Sequence, residues 1–224
     1  MRLPVTVIVL LSLVLLLGVG VYMFRRDVLY QGWSKFLTIF GDIMLSTSPP
    51  LTRAKHIRNA MEMVRPGDIL CRRFDCYLDG YFIPGKYTHS GIMIDGTTMI
   101  DATAEGVQKK DLIDFIKDTD GFIILRPKYE SEDQKNRVIA FSLSQIGTPY
   151  DFVFQDGNNA YYCHEFTATC LKEAGISVPR TGQVYLASDF QAICSRIYES
   201  DDPKFQFQKR SFFQSLFPVR YYPK

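Results

Sequence analysis

The sequence predicts an α+β domain, a small antiparallel barrel-like sheet packed on helices, set behind an N-terminal transmembrane helix. Three observations predict it. Short apolar runs at 69–73, 89–94, 97–103 and 121–127 are set off by turn residues such as Pro66-Gly67-Asp68, Asp95-Gly96 and Asp120, the pattern of strands joined by tight turns. Stretches with charges set among apolar residues read as helices, most clearly Glu130 to Ile146, where Val138, Ile139, Phe141, Leu143 and Ile146 sit among polar groups. Finally, Pro4 to Phe24 carries no charge over 21 residues. At ~1.5 Å per residue such a helix crosses a ~30 Å hydrocarbon core.

A chain of 224 residues, 46% hydrophobic and 22% charged, holds one globular domain with appendages rather than two domains. We divide it into an anchor (1–26), a juxtamembrane helical segment (27–63), the main domain (64–200) and an aromatic and basic tail (201–224). The net charge of +2 gives no argument for a nucleic-acid partner. A cleaved signal peptide competes with the anchor, but Gly18-Val19-Gly20 is a poor cleavage site and the apolar run is long for that purpose. Arg25 and Arg26 follow the run whereas only Arg2 precedes it, so the positive-inside rule favours a cytoplasmic domain.

The elements follow in order. Residues 28–48 suit either a helix at the membrane interface or one packed on the domain, and Ser48-Pro49-Pro50 ends them. Thr52 is placed to cap a helix running through Met63, and Arg65-Pro66-Gly67-Asp68 is a turn into the first strand. Phe74 to Lys86, with Gly80, Pro84 and Gly85, reads as a loop. A short helix is expected over Asp111 to Asp118, Gly147-Thr148-Pro149 stops the long amphipathic helix, and Gly175 caps the next one. A last short helix is expected from Ala187 to Cys194. The tail interleaves aromatics with Lys and Arg, which suits an anionic membrane surface or packing on the domain. Five cysteines leave at least one thiol free, and Cys71 and Cys76 lack a second pair to complete a metal site.

Tyr161-Tyr162-Cys163-His164-Glu165-Phe166 places a cysteine where a helix should begin, and the partial positive charge there favours a thiolate and can hold a developing oxyanion. Cys170, seven residues on, is read as core. A thiolate needs an imidazole, and of three histidines His89 opens a buried strand, Thr88-His89-Ser90-Gly91-Ile92-Met93-Ile94. Asp101 is the candidate to orient that imidazole. A three-residue loop at Ile94-Asp95-Gly96 would pair His89 with Asp101 on one face, whereas a two-residue turn would put them on opposite faces. Tyr161 or Tyr162 is a candidate oxyanion donor beside the Cys163 N–H. His164 is expected at the surface or against substrate, and Glu165 is expected to complement the helix dipole. Asp151 is expected to fix the loop before the cysteine.

The four segments THSGIMI, MIDA, GTPYDFVF and YYCHEF, in that order over residues 64–195, resemble the YiiX/YaeF-like branch of the NlpC/P60 superfamily. These are circularly permuted papain-like cysteine hydrolases, related to lecithin:retinol acyltransferase, in which the histidine precedes the cysteine. The resemblance implies a permuted papain-like fold with Cys163 as nucleophile and His89 and Asp101 as its partners. It implies hydrolysis of an amide (peptide or isopeptide) or acyl ester bond through an acyl-enzyme, with no metal or organic cofactor. It also implies export, against the charge rule. The chain departs from the family at His164, where a small residue is common. The alternative is a non-catalytic module holding a peptide, amino acid or lipid headgroup in the same groove. Oligomeric state stays open.

Overall fold

In the computed structural model residues 5–24, 32, 36, 40, 50–75, 77, 83, 85–155 and 157–200 are described. The expected juxtamembrane helix, most of the loop between Tyr77 and Lys86, and the C-terminal tail lie outside these residues.

Among the described residues six antiparallel strands form one sheet: β1 (Ile69–Arg73), β2 (His89–Met93), β3 (Thr98–Thr103), β4 (Gly106–Asp111), β5 (Gly121–Pro127) and β6 (Cys194–Glu199). Their order is β4-β3-β2-β1-β5-β6. The order is open, with β4 and β6 as the two edges, so the expected barrel-like closure is not found among the described residues. Both edge strands escape the sequence reading for one reason. Gly106–Asp111 carries Lys109 and Lys110, and Cys194–Glu199 carries Arg196 and Glu199, the charged composition that keeps an exposed edge from pairing further.

The central strands bury both faces, and alternate residues feed two cores. Ile69, Ile92, Ile100, Ile123 and Leu125 point to one side, where α5 (Cys163–Glu173) lies on β2 and β3 and α4 (Glu132–Ser144) packs on α5. Leu70, Met93, Met99, Phe122 and Ile124 point to the other, toward α2 (Ala54–Met63) and α3 (Leu112–Ile116). The last short helix, α6 (Ala187–Ile193), precedes β6.

Side-chain oxygens start two of these helices. Asp111 accepts from Ile113 N at 2.7 Å and Ser131 from Gln134 N at 3.2 Å. Thr52 does not act as the expected cap: the N-cap of α2 is Arg53, and the Thr52 hydroxyl turns inward to meet the Thr119 hydroxyl at 3.0 Å. Burial supplies Thr52 a tertiary partner that a sequence cannot name.

The N-terminal apolar run is helical, α1 (Val5–Phe24). Among the described residues, however, no helix is long and apolar enough to cross a membrane. The expected transmembrane helix and single-pass membrane localisation are corrected accordingly: neither is supported.

Candidate functional site

Helix α5 begins on Cys163 itself, with Tyr162 as the extended residue before it (φ −82, ψ 164). The far end is fixed by Gly175 (φ +83), a left-handed position that glycine adopts without cost. There Gly175 N bonds Lys172 O at 2.9 Å and Ile176 N bonds Leu171 O at 3.0 Å, a Schellman pair. The segment before the helix is also pinned. The buried Asp151 carboxylate accepts from Val153 N at 2.8 Å and Gln155 N at 2.7 Å.

At the start of β2, the Cys163 thiol faces the Thr88 carbonyl at 3.7 Å, and the sulfur is close enough to the His89 imidazole to raise its pKa. On the same ring, Nε2–H donates to Asp101 Oδ2 at 2.9 Å, which leaves Nδ1 for the thiol. The three residues singled out for chemistry are thus brought together. His89 is 16% exposed and Asp101 fully buried. Among the described residues Oδ1 of Asp101 has no partner, so the imidazole is the group that faces this buried carboxylate.

The hairpin that joins His89 to Asp101 differs in register from the expectation. Gly91 stands opposite Asp101 and Met93 opposite Met99, with Ile94 N bonding Thr98 O at 2.9 Å. The loop is Asp95-Gly96-Thr97, one residue later than expected, because Asp95 Oδ1 accepts from Thr97 N at 2.7 Å and Thr98 N at 2.6 Å. Moving a loop of unchanged length by one residue shifts the pairing by two, which preserves the face. Asp101 therefore reaches His89 diagonally. Gly91 makes room for this: a Cβ there would stand 2.7 Å from the Ile100 carbonyl oxygen and 3.0 Å from Asp101 Cβ.

Opposing influences act on His89. Burial, the largest, lowers its pKa, as does the Arg72 charge; the Cys163 sulfur and the hydrogen bonds to Asp101 and Cys163 raise it, and the balance is a pKa above the ordinary 6.5.

Tyr150, not singled out from the sequence, belongs to the site. Burial first, then the Cys163 sulfur, push its pKa well above the ordinary value, against a lowering influence from the Cys163 backbone. Its hydroxyl is therefore near both the sulfur and the backbone of Cys163. The signal was present in GTPYDFVF, immediately before the noted Asp151.

The candidate oxyanion residues Tyr161 and Tyr162 are placed differently. The Tyr162 hydroxyl is buried and accepts from Tyr185 N at 2.7 Å, and Tyr161 packs its ring on Phe166 with centroids 6.0 Å apart. Against expectation, His164 is 2% exposed, because the 100° turn of the helix directs it into the layer between α5 and β2. There Nδ1 meets the Ser90 hydroxyl at 2.7 Å, and Ser90 also contacts the Thr167 hydroxyl at 2.9 Å and the Cys163 carbonyl at 3.4 Å. Desolvation, then the His89 charge, lower the His164 pKa to about 3, against a weaker raising influence from the Tyr87 carbonyl. It stays neutral and cannot compete with His89 as base. Glu165 is also buried, in the first turn of α5. Cys170 lies in the core as expected, its pKa raised by burial. Among the described residues no cluster of three or more His, Cys, Asp or Glu is arranged to hold a metal ion.

The model of the permuted papain-like amidase family, YaeF/YiiX (C92), matches residues 63–195. The chain belongs to this family. Membership assigns it to the papain-like amidases, which are hydrolases. Among solved structures, a metalloprotein YiiX from Escherichia coli O157:H7 is similar at 21% identity and a TM-score of 0.47, covering 53% of this chain and 71% of that one. No curated protein matches. The open antiparallel sheet flanked by helices fits the family's permuted papain-like fold.

Proposed function

We propose that this YaeF/YiiX-family protein is a cysteine hydrolase that cleaves an amide (peptide or isopeptide) or an acyl ester through Cys163, His89 and Asp101. The observation that carries the reading is the His89 ring, held by Asp101 at 2.9 Å through Nε2 and beside a thiol at the first residue of a helix.

In this reading the Cys163 thiolate attacks the carbonyl carbon, and the oxygen, now negative, is received by the Cys163 N–H and the Tyr150 hydroxyl. His89, as imidazolium, gives its proton to the leaving amine or alcohol as the C–N or C–O bond breaks, leaving a thioester on Cys163. Water, losing a proton to His89, attacks the thioester and releases the acid. Asp101 holds the ring's tautomer throughout and faces its positive charge.

The test is mass spectrometry of the full chain after incubation with an electrophilic thiol probe. Cys163 should be labelled selectively over Cys170, and His89→Ala should slow the labelling. Equal labelling of Cys163 and Cys170 in the folded protein would sink the proposal.

A further inference from the structure

Tyr87 is fully buried two residues ahead of His89, and its hydroxyl donates to Glu199 Oε1 at 2.7 Å. A buried phenol hydroxyl needs such a partner. Here the fold supplies it from the far edge of the sheet, since Glu199 closes β6, beyond the residues 63–195 that the family model matches. The Glu199 backbone is fixed: it stands opposite Ile123 in the β5–β6 ladder, and the next residue, Ser200, donates from N to Phe122 O at 2.9 Å while its hydroxyl accepts from Phe122 N at 2.9 Å. The carboxylate is fixed as well. Arg196 Nη1 donates to Oε2 at 2.7 Å, and Lys86 Nζ donates to Oε1 at 2.6 Å. Burial raises the Glu199 pKa, but Lys86, Tyr87 and Arg196 outweigh it and keep it below the ordinary value, so Tyr87 meets an ionised acceptor, the stronger kind.

The other end of Tyr87 bears on the chemistry. Regular pairing of β2 with β1 starts at His89, opposite Arg72, so Tyr87 and Thr88 precede the ladder and are tied to it by Thr88 N, which donates to Arg72 O at 3.0 Å. From this short segment the Thr88 carbonyl faces the Cys163 sulfur at 3.7 Å, and His89 follows directly. A side chain tied at its tip limits how far its own backbone can move. Small displacements at such a place are costly, because an imidazole and a thiol work together only at close range.

We infer that Glu199 is a positioning residue: through the Tyr87 hydroxyl it fixes the segment Tyr87-Thr88-His89 against Cys163. The inference rests on the cysteine-hydrolase reading and deepens it, because it extends the working site to an edge strand.

Iodoacetamide alkylation of Cys163 in the full chain, followed by mass spectrometry across pH, tests this without a substrate. Tyr87→Phe removes one oxygen, and Glu199→Ala removes its acceptor. Each should slow alkylation about tenfold. Each should also move the alkaline limb to lower pH, because burial already lowers the His89 pKa and a displaced sulfur would raise it less. The double variant should be no slower than the slower single one, as expected of two residues acting through one bond. Glu199→Gln, which still offers Tyr87 an acceptor, should recover most of the rate. Rates are read on variants that unfold cooperatively in urea, where a loss of stability alone moves neither rate nor limb. Wild-type rates and an unmoved limb in both single variants, or losses that add in the double variant, would overturn the positioning role alone. A wild-type Cys163 no faster than Cys170 would overturn it together with the hydrolase reading.

Discussion

Replacing His164 by Asn should remove a defined part of the protein's acid sensitivity. In the unfolded chain this histidine takes up a proton near the ordinary 6.5, whereas in the fold it does not do so until about 3. As pH falls through 6.5 the unfolded state gains a proton that the native state refuses, so stability declines until both states are protonated below about 3. At 1.36 kcal/mol per unit, the two units between pH 6.5 and 4.5 amount to about 3 kcal/mol, a large share of a typical ~5–15 kcal/mol. No solvent discount applies at 2% exposure. Asn can offer a polar atom near the position of Nδ1, so the Ser90 contact has a replacement and the lost ring volume adds a cost that does not vary with pH. The assay is urea unfolding of wild type and His164→Asn at pH 7 and 4.5. The other titrating groups are common to both proteins, so the difference of differences isolates His164. A variant that loses as much stability on acidification as the wild type would refute the reasoning.

Two further outcomes follow from the site. Asp101→Asn removes a hydrogen bond that raises the His89 pKa, so the alkaline limb of Cys163 alkylation should move to lower pH, and turnover should fall by about 100-fold or more as the tautomer is released; an unmoved limb in the pH–rate profile would contradict this. Tyr150→Phe should slow turnover by about 100-fold while changing iodoacetamide alkylation little, because displacement of iodide creates no oxyanion; equal losses in both assays would reduce Tyr150 to a packing role.

Reactive residue types and their order along the chain are local properties, and so the sequence by itself determined a good deal. A cysteine at a helix start, a histidine opening a strand, an acid in the next strand and a Gly175 cap are each specified by neighbours within a few residues. The shared face of His89 and Asp101 was legible only as a condition on the turn: a three-residue loop keeps the parity and a two-residue turn breaks it, and the fold chose the three-residue loop. Tertiary structure decided what depends on distant partners. The Asp95 side chain set the loop, Thr119 drew Thr52 inward from its capping position, and Tyr185 occupied the Tyr162 hydroxyl. Packing of α5 on β2 turned His164 from an expected surface residue into a neutral buried one, and brought Tyr150 to Cys163. Charged edge strands read as loops for the same reason: their place in the fold is given by the strand beside them, and that neighbour is chosen by the folded chain.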